Sequence, residues 1–165
     1  MQYRSVVSGS FIDRPNRFVA RVKIGDEVHT VHVKNTGRCR ELLVPGAAVY
    51  LEQGSNPNRK TQYDLIAVEK GDRLINMDSQ APNQVFGEWV SAGGFLPGVT
   101  AVRREYTYGG SRLDFCLETP EGPHFVEVKQ IQEIHNRLYC FRHANLSRYA
   151  ISTRHHSRVI ALRIL

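Results

Sequence analysis

The sequence predicts an α+β chain: a small N-terminal β-barrel, followed by one helix and a β-hairpin. Three observations predict it. The first 80 residues form short runs of alternating apolar and polar residues, punctuated by Gly-, Asn- and Pro-marked turns. Residues from about 82 to 92 switch to helical spacing of their apolar side chains. Residues 111–129 then return to a period of two. A length of 165 residues suits one ordinary domain or two very small ones.

The elements follow in chain order. "RFVARVKI" alternates Phe18, Ala20, Val22 and Ile24 against Arg17, Val19, Arg21 and Lys23. "EVHTVHVK" follows the Gly25-Asp26 turn, so the two runs predict a hairpin. "AAVYLEQG" and "QYDLIAVEKGDRLINMD" supply further strands, and a five-stranded barrel of OB type fits this length. "TGRCRELLVPG" predicts a short helix, with Thr36 as N-cap and Pro45-Gly46 as its stop. In "MDSQAPNQVFGEWVSAGGF", Val85, Phe86, Trp89 and Val90 predict a helix over 82–92 that ends at Gly93-Gly94. Ser79 and Asn83 are its candidate caps, and Trp89 is expected in the core. A domain boundary is placed at 80/81. A strand over about 100–107 and a Gly109-Gly110 turn come next.

The stretch "SRLDFCLETPEGPHFVEVK" carries the chemistry. With arms at 111–117 and 124–129 and "ETPEGPH" as the loop, facing residues have numbers with a constant sum. Setting Asp114 opposite Glu127 makes that sum 241, which centres the loop between Pro120 and Glu121. One face then holds Leu113, Phe115, Leu117, Val126 and Val128. The other holds Arg112, Asp114, Cys116, Phe125, Glu127 and Lys129. A slip of one residue would mix the two sets. Opposed carboxylates have Cβ atoms about 5 Å apart and repel unless a cation lies between them. Lys129 supplies one positive charge. Mg²⁺ or Mn²⁺ would supply more, and could activate water and stabilise charge on a phosphodiester. A salt-bridge cluster on a solvated sheet face fits the same residues, and the pattern alone leaves both readings open.

The net charge of +6 suggests a polyanionic partner. The excess is uneven. Residues 1–129 hold 16 Lys/Arg against 15 Asp/Glu, whereas residues 130–165 hold six Arg against Glu133 alone. In the barrel, Arg14, Arg17, Arg38, Arg40, Arg59 and Lys60, with Tyr63 beside them, are the candidates for contacts to nucleic acid. A solvated surface with Asp13, Glu41 and Asp64 as partners is the alternative. Cys39, Cys116 and Cys140 are widely spaced and form no CxxC pair, so reduced thiols are expected. His29 and His32 face opposite sides of a strand. His155-His156 carry no metal assignment, and "YGGSR" lacks a phosphate-loop lysine. No apolar run is long enough to span a membrane and the N-terminus has no signal-peptide core, so a cytoplasmic protein is expected.

The motifs "RPNRFVARV", "HVKNTGRCRELLVPG", "RKTQYDL", "INMDSQAPN", "RREYTYGGSRLDF" and "FVEVK" occur in that order. In them the chain resembles the sugar fermentation stimulation protein A (SfsA) family, from about Phe11 to Lys129. The resemblance implies an OB-fold over 1–80, then a nuclease-like domain of the PD-(D/E)xK type over 81–129, truncated here. It implies Asp114, Glu127 and Lys129 as the catalytic set. It further implies Glu88 as the helix carboxylate that joins Asp114 and Glu127 around a Mg²⁺ or Mn²⁺ ion. It also implies a DNA-binding protein, largely indifferent to sequence, with a regulatory role in sugar and especially maltose metabolism. A metal-dependent DNA nuclease is the alternative, and a homodimer is compatible with either. The resemblance lapses after Lys129. Residues 130–165 lack glycine and proline, and Ile131, Ile134, Leu138 and Phe141 give only a weak helical stripe. Written as TAC TGT TTC CGN and read two bases later, "YCFR" at 139–142 would give Leu-Phe-Pro, so out-of-frame translation is expected from about residue 130. A genuinely divergent tail is the other option.

Overall fold

The structure is a computed structural model. It describes residues 1–131, 148–152 and 159–164, with side-chain surroundings up to Val128. The chain divides into two compact units, Gln2–Gln80 and Ala81 onward together with Met1.

The first unit is a closed barrel. Its strands are β1 (Val6–Asp13), β2 (Val19–Ile24), β3 (Glu27–Val33), β4 (Ala48–Gln53) and β5 (Tyr63–Lys70). Antiparallel pairs join β3 to β2, β2 to β1, β1 to β4 and β4 to β5. A short parallel pairing, His32 with Asp64 and Val33 with Leu65, closes the ring between β3 and β5. This is the five-stranded OB barrel expected. A sixth strand, β6 (Arg73–Asn76), hangs on β5. Alternation drives the closure: Val22, Val31, Val33, Val49, Leu51, Leu65 and Val68 are fully buried on the inner face.

Two features of this unit depart from the sequence reading. Strand β1 was not among the predicted strands, because Ser8, Gly9 and Ser10 dilute its apolar pattern. Gly9 is there for space: a Cβ would lie 2.6 Å from Val22 Cγ1 and 2.8 Å from the Lys23 carbonyl oxygen. The helix predicted in "TGRCRELLVPG" is absent. Cys39 takes a left-handed backbone (φ 45°), and the Leu42 and Leu43 amides both donate to its carbonyl, giving a single turn. That turn buries both neighbouring leucines in the barrel core.

The second unit starts with α1 (Ala81–Ser91). Its C-terminus has the predicted glycine stop. Gly94 N–H donates to Trp89 O and Gly93 N–H to Val90 O, with Gly93 at φ 80°. The predicted caps do not cap. Ser79 donates to the Lys34 carbonyl, and Asn83 lies inside the first turn, where its amide reaches a strand instead. The sheet runs β10-β11-β9-β8-β7, from β7 (Ala101–Tyr108), β8 (Ser111–Thr119), β9 (Gly122–Ile131), β10 (Arg148–Ser152) and β11 (Val159–Ile164). The last two strands were not predicted; the remainder of the helical stripe after Ile131 lies outside the described residues.

Phe86 and Val90 of α1 bury against Phe115, Leu117, Val126 and Val128, the face predicted to be apolar. Phe86 meets Phe95 and Phe115 edge-on, with centroids 5.2 and 4.9 Å away. Trp89 is 37% exposed, so it borders this core rather than filling it. Arg104 pins α1 from β7: its guanidinium donates to the Asn83 carbonyl (3.2 Å) and lies over the Phe115 ring.

Candidate nucleic-acid interface and carboxylate pair

An open cleft of about 470 Å³ lies on the barrel, between the end of β1 and the 36–45 loop. Four of the predicted arginines line it: Arg14, Arg17, Arg38 and Arg40. They do not play one role. The Arg14 guanidinium donates to the carbonyls of Gly37, Arg17 and Asn35, each at 2.6 Å, and of Arg38 at 3.1 Å. Arg14 is therefore a clamp that ties the 35–38 loop to the start of β2, with little donor capacity left for a ligand. Its Nε is buried without a partner among the described residues.

Arg17, Arg38 and Arg40 have no carboxylate partner among the described residues. The acid beside them, Asp13, is bound by Arg21, whose hydrogen bond holds the Asp13 carboxyl below the usual carboxylate range. The cleft therefore keeps a net positive rim. Phe11, Ile12, Leu43 and Pro45 supply its apolar lining. Arg17, on the cleft lining, lays its guanidinium 4.8 Å from the centre of the half-exposed Phe18 ring.

The other three predicted contacts are placed differently. Arg59 bridges to Asp64, which is only 7% exposed, and a Cβ on Gly54 would lie 2.3 Å from its Nη1. Arg59 is thus packed into a structural pair; Asp64 is its partner as the alternative reading had it, but in a buried rather than a solvated setting. Lys60 is exposed, and Tyr63 meets His29 edge-on at 5.5 Å.

Around Asp64 lies a buried polar cluster that the sequence reading missed. His32 Nδ1 is 3.1 Å and Lys34 Nζ 3.7 Å from its carboxylate. Lys34 also bridges to Asp78, 1% exposed, at 2.9 Å. Burial acts to raise the Asp64 pKa. Hydrogen bonds from Arg59 and His32 and the Lys34 charge outweigh it and hold the carboxyl below its ordinary value. The available signal was Asp64 inside the otherwise apolar run of β5, and Asp78 just past the end of β6.

The carboxylate pair stands on the β8–β9 hairpin. Its ladder pairs Phe115 with Val126, Cys116 with Phe125, and so on to Thr119 with Gly122. All five pairs keep the predicted sum, although the loop is two residues, Pro120-Glu121, rather than seven. One step beyond this ladder stand Asp114 and Glu127. There the strands part: the Val128 N–H donates to Asp114 Oδ2 at 2.7 Å, in place of a main-chain acceptor. Asn83 of α1 donates to the other oxygen, Oδ1, at 2.9 Å. Asp114 is fixed by two neutral donors, one from the adjacent strand and one from the helix.

The other residues of the implied set divide. Glu88 pairs with the N-terminal amine, whose hydrogen bond holds its carboxyl below the usual range, and lies 3.4 Å from Gln84. The α1 side chain that reaches Asp114 is Asn83. Lys129 stands on β9, its backbone opposite Ala161 of β11; its side chain lies outside the described residues. Among the described residues no three His, Cys, Asp or Glu side chains gather as a metal-binding group. The face predicted to be charged is partly aromatic, since Tyr106 and Tyr108 pack on Phe125 with centroids 5.8 and 4.7 Å away. Cys116 on that face is 2% exposed, and burial pushes its thiol pKa up.

Comparison with known proteins follows the same division. The sequence model of the SfsA N-terminal OB domain matches residues 12–77. That of the sugar fermentation stimulation protein RE domain matches residues 80–160, which takes in most of the segment after Lys129. This chain belongs to the SfsA family. A sugar fermentation stimulation protein homolog of Ruminiclostridium cellulolyticum is 49% identical over 148 residues, covering 90% of this chain and 66% of the relative. One of Desulfitobacterium hafniense is 51% identical over 131 residues, covering 79% and 57%. The chain thus spans about two thirds or less of the length of these relatives. Among solved structures, SfsA of Pyrococcus furiosus in complex with Ca²⁺ aligns with a TM-score of 0.73 at 28% identity, covering 82% of this chain and 58% of that one.

Proposed function

We propose that this chain is a cytoplasmic DNA-binding protein that engages the phosphate backbone through the arginine rim of the barrel cleft. The observation that carries this is the trio Arg17, Arg38 and Arg40, which lines one cleft and has no carboxylate partner among the described residues. Contacts of this kind position a protein without reading sequence, so binding is largely sequence-nonspecific. A regulatory role in sugar metabolism, maltose included, then works through occupancy of DNA. The test is the salt dependence of affinity. Each lost phosphate contact lowers the slope of log K against log salt by about one. The triple Arg17→Ala, Arg38→Ala, Arg40→Ala variant is expected to lose affinity and about three from that slope. An unchanged slope contradicts the reading.

A second reading, a metal-dependent nuclease, is favoured by the Asp114–Glu127 register and by the Ca²⁺ named for the P. furiosus relative. The residues fit such an ion. An ionised carboxylate has about four acceptor sites, and Asp114 has one hydrogen bond on each oxygen and no ion pair among the described residues. Asp114 and Glu127 would hold Mg²⁺ or Mn²⁺; Glu88, which the family implies as a further ligand, pairs instead with the N-terminal amine. When bound, the ion would supply a water-derived nucleophile and charge stabilisation. Asn83 and the Val128 amide keep the Asp114 carboxylate oriented. Mn²⁺ titration by calorimetry is expected to show binding that Asp114→Ala abolishes; equal binding by both proteins contradicts this reading.

A further inference from the structure

We infer that the barrel cleft takes an unpaired nucleotide, so that the chain prefers single-stranded to duplex DNA. The inference rests on the proposed DNA-binding reading and deepens it.

The cleft presents two chemically different surfaces. Its rim is cationic, through Arg17, Arg38 and Arg40. Its apolar lining is Phe11, Ile12, Leu43 and Pro45, of which half-buried Ile12 and exposed Pro45 present surface. Phosphates alone would use the rim and leave the apolar lining wet. An unpaired nucleotide offers a phosphate to the rim and an apolar base face to that lining. The size agrees. A volume of about 470 Å³ lies in the range of pockets that bury a small organic group, roughly 300–1,000 Å³. It does not admit a duplex, whose base faces are in any case covered by stacking.

Phe18 follows the lining residue Arg17 in the chain and touches its guanidinium. Phe18 is 48% exposed, an unusual position for a phenyl ring on a barrel strand's entry. It is held in place. Its N–H donates to Asn16 Oδ1 at 2.8 Å, and its carbonyl accepts from Val33 N–H at 2.7 Å. The Arg17 guanidinium stacks over it at 4.8 Å. A flat ring beside a flat cation is a platform on which a base can stack, whatever its identity. A duplex gains nothing from it. The Arg14 clamp sets the loop before any ligand arrives, so less ordering is lost on binding.

The test is fluorescence anisotropy on the full chain with three labelled probes of about 12 nucleotides: single-stranded DNA, the same sequence as a duplex, and a single strand without bases. Stacking on an aromatic side chain changes affinity by about tenfold per base. The single strand is expected to bind about tenfold more tightly than either other probe. Phe18→Ala should erase that advantage, so that the single strand and the duplex bind alike. Phe18→Leu keeps apolar volume but not a flat ring, and should erase it too, which separates stacking from misfolding. A duplex or base-free strand that binds as well as the single strand overturns the inference and leaves the DNA-binding reading standing. So does a Phe18→Leu variant that keeps the full advantage. Failure of all three probes to bind overturns both.

Discussion

The barrel cleft and the hairpin carboxylates are built by opposite means. The cleft is held by side chain-to-backbone bonds: one guanidinium, Arg14, binds four carbonyls and leaves its neighbours Arg17, Arg38 and Arg40 facing solvent. The carboxylate site is held by strand register, with Asp114 and Glu127 one step beyond a ladder of constant sum. The first kind of site is vulnerable at one residue. The second is spread over a ladder, and single side chains only trim it.

The sharpest way to break this contrast is Arg14→Ala. It removes four hydrogen bonds and strands the carbonyls of Asn35 and Gly37. It is expected to cost about 2–4 kcal/mol, read as a shift of the urea midpoint. DNA affinity should fall with it, although Arg14 is not itself the proposed contact. Arg14→Lys should rescue little, because one ammonium cannot span four carbonyls. If Arg14→Ala were as stable as the parent, the clamp would be illusory.

The hairpin site should respond less. Asn83→Ala removes one neutral hydrogen bond to Asp114 and is expected to cost about 1 kcal/mol in stability. In the metal-binding reading it also weakens Mn²⁺ affinity by about 10-fold or more, because the carboxylate loses an orienting partner. Parallel calorimetry and thermal melts separate the two effects. A change in stability with no change in Mn²⁺ affinity would leave Asn83 a purely structural contact.

The smallest expected effect is on acid stability. Asp64 has its folded pKa below the ordinary carboxylate value. In the window between the two values the unfolded chain binds more protons, so stability is present above the ordinary value and drains away as pH falls. Asp64→Asn should flatten the acid limb of a stability–pH curve. An unchanged limb would show that the polar cluster around Lys34 contributes nothing to it.

What sequence disclosed follows the same contrast. Period-two alternation is a local signal, so the barrel strands and the hairpin register were readable, as was the helix with its glycine stop. Strand β1 hid because Gly9 answers a close approach by Val22, a partner distant in sequence. The helix expected after Thr36 failed because Cys39 adopts a left-handed backbone that no local propensity announces. Arg14 was readable as a cation but not as a clamp. Its partners are backbone carbonyls, which carry no residue identity. Asn83 resembled a cap because capping is judged within four residues, whereas its true partner, Asp114, is 31 residues away.

The most direct measurement compares two variants on one DNA probe in metal-free buffer: Arg17→Ala/Arg38→Ala/Arg40→Ala and Asp114→Ala/Glu127→Ala. With the cleft as the interface, the arginine variant loses at least tenfold in affinity and its salt slope falls by about three, while the carboxylate variant binds like the parent. Retained binding by the arginine variant, with loss in the carboxylate variant, would contradict the account.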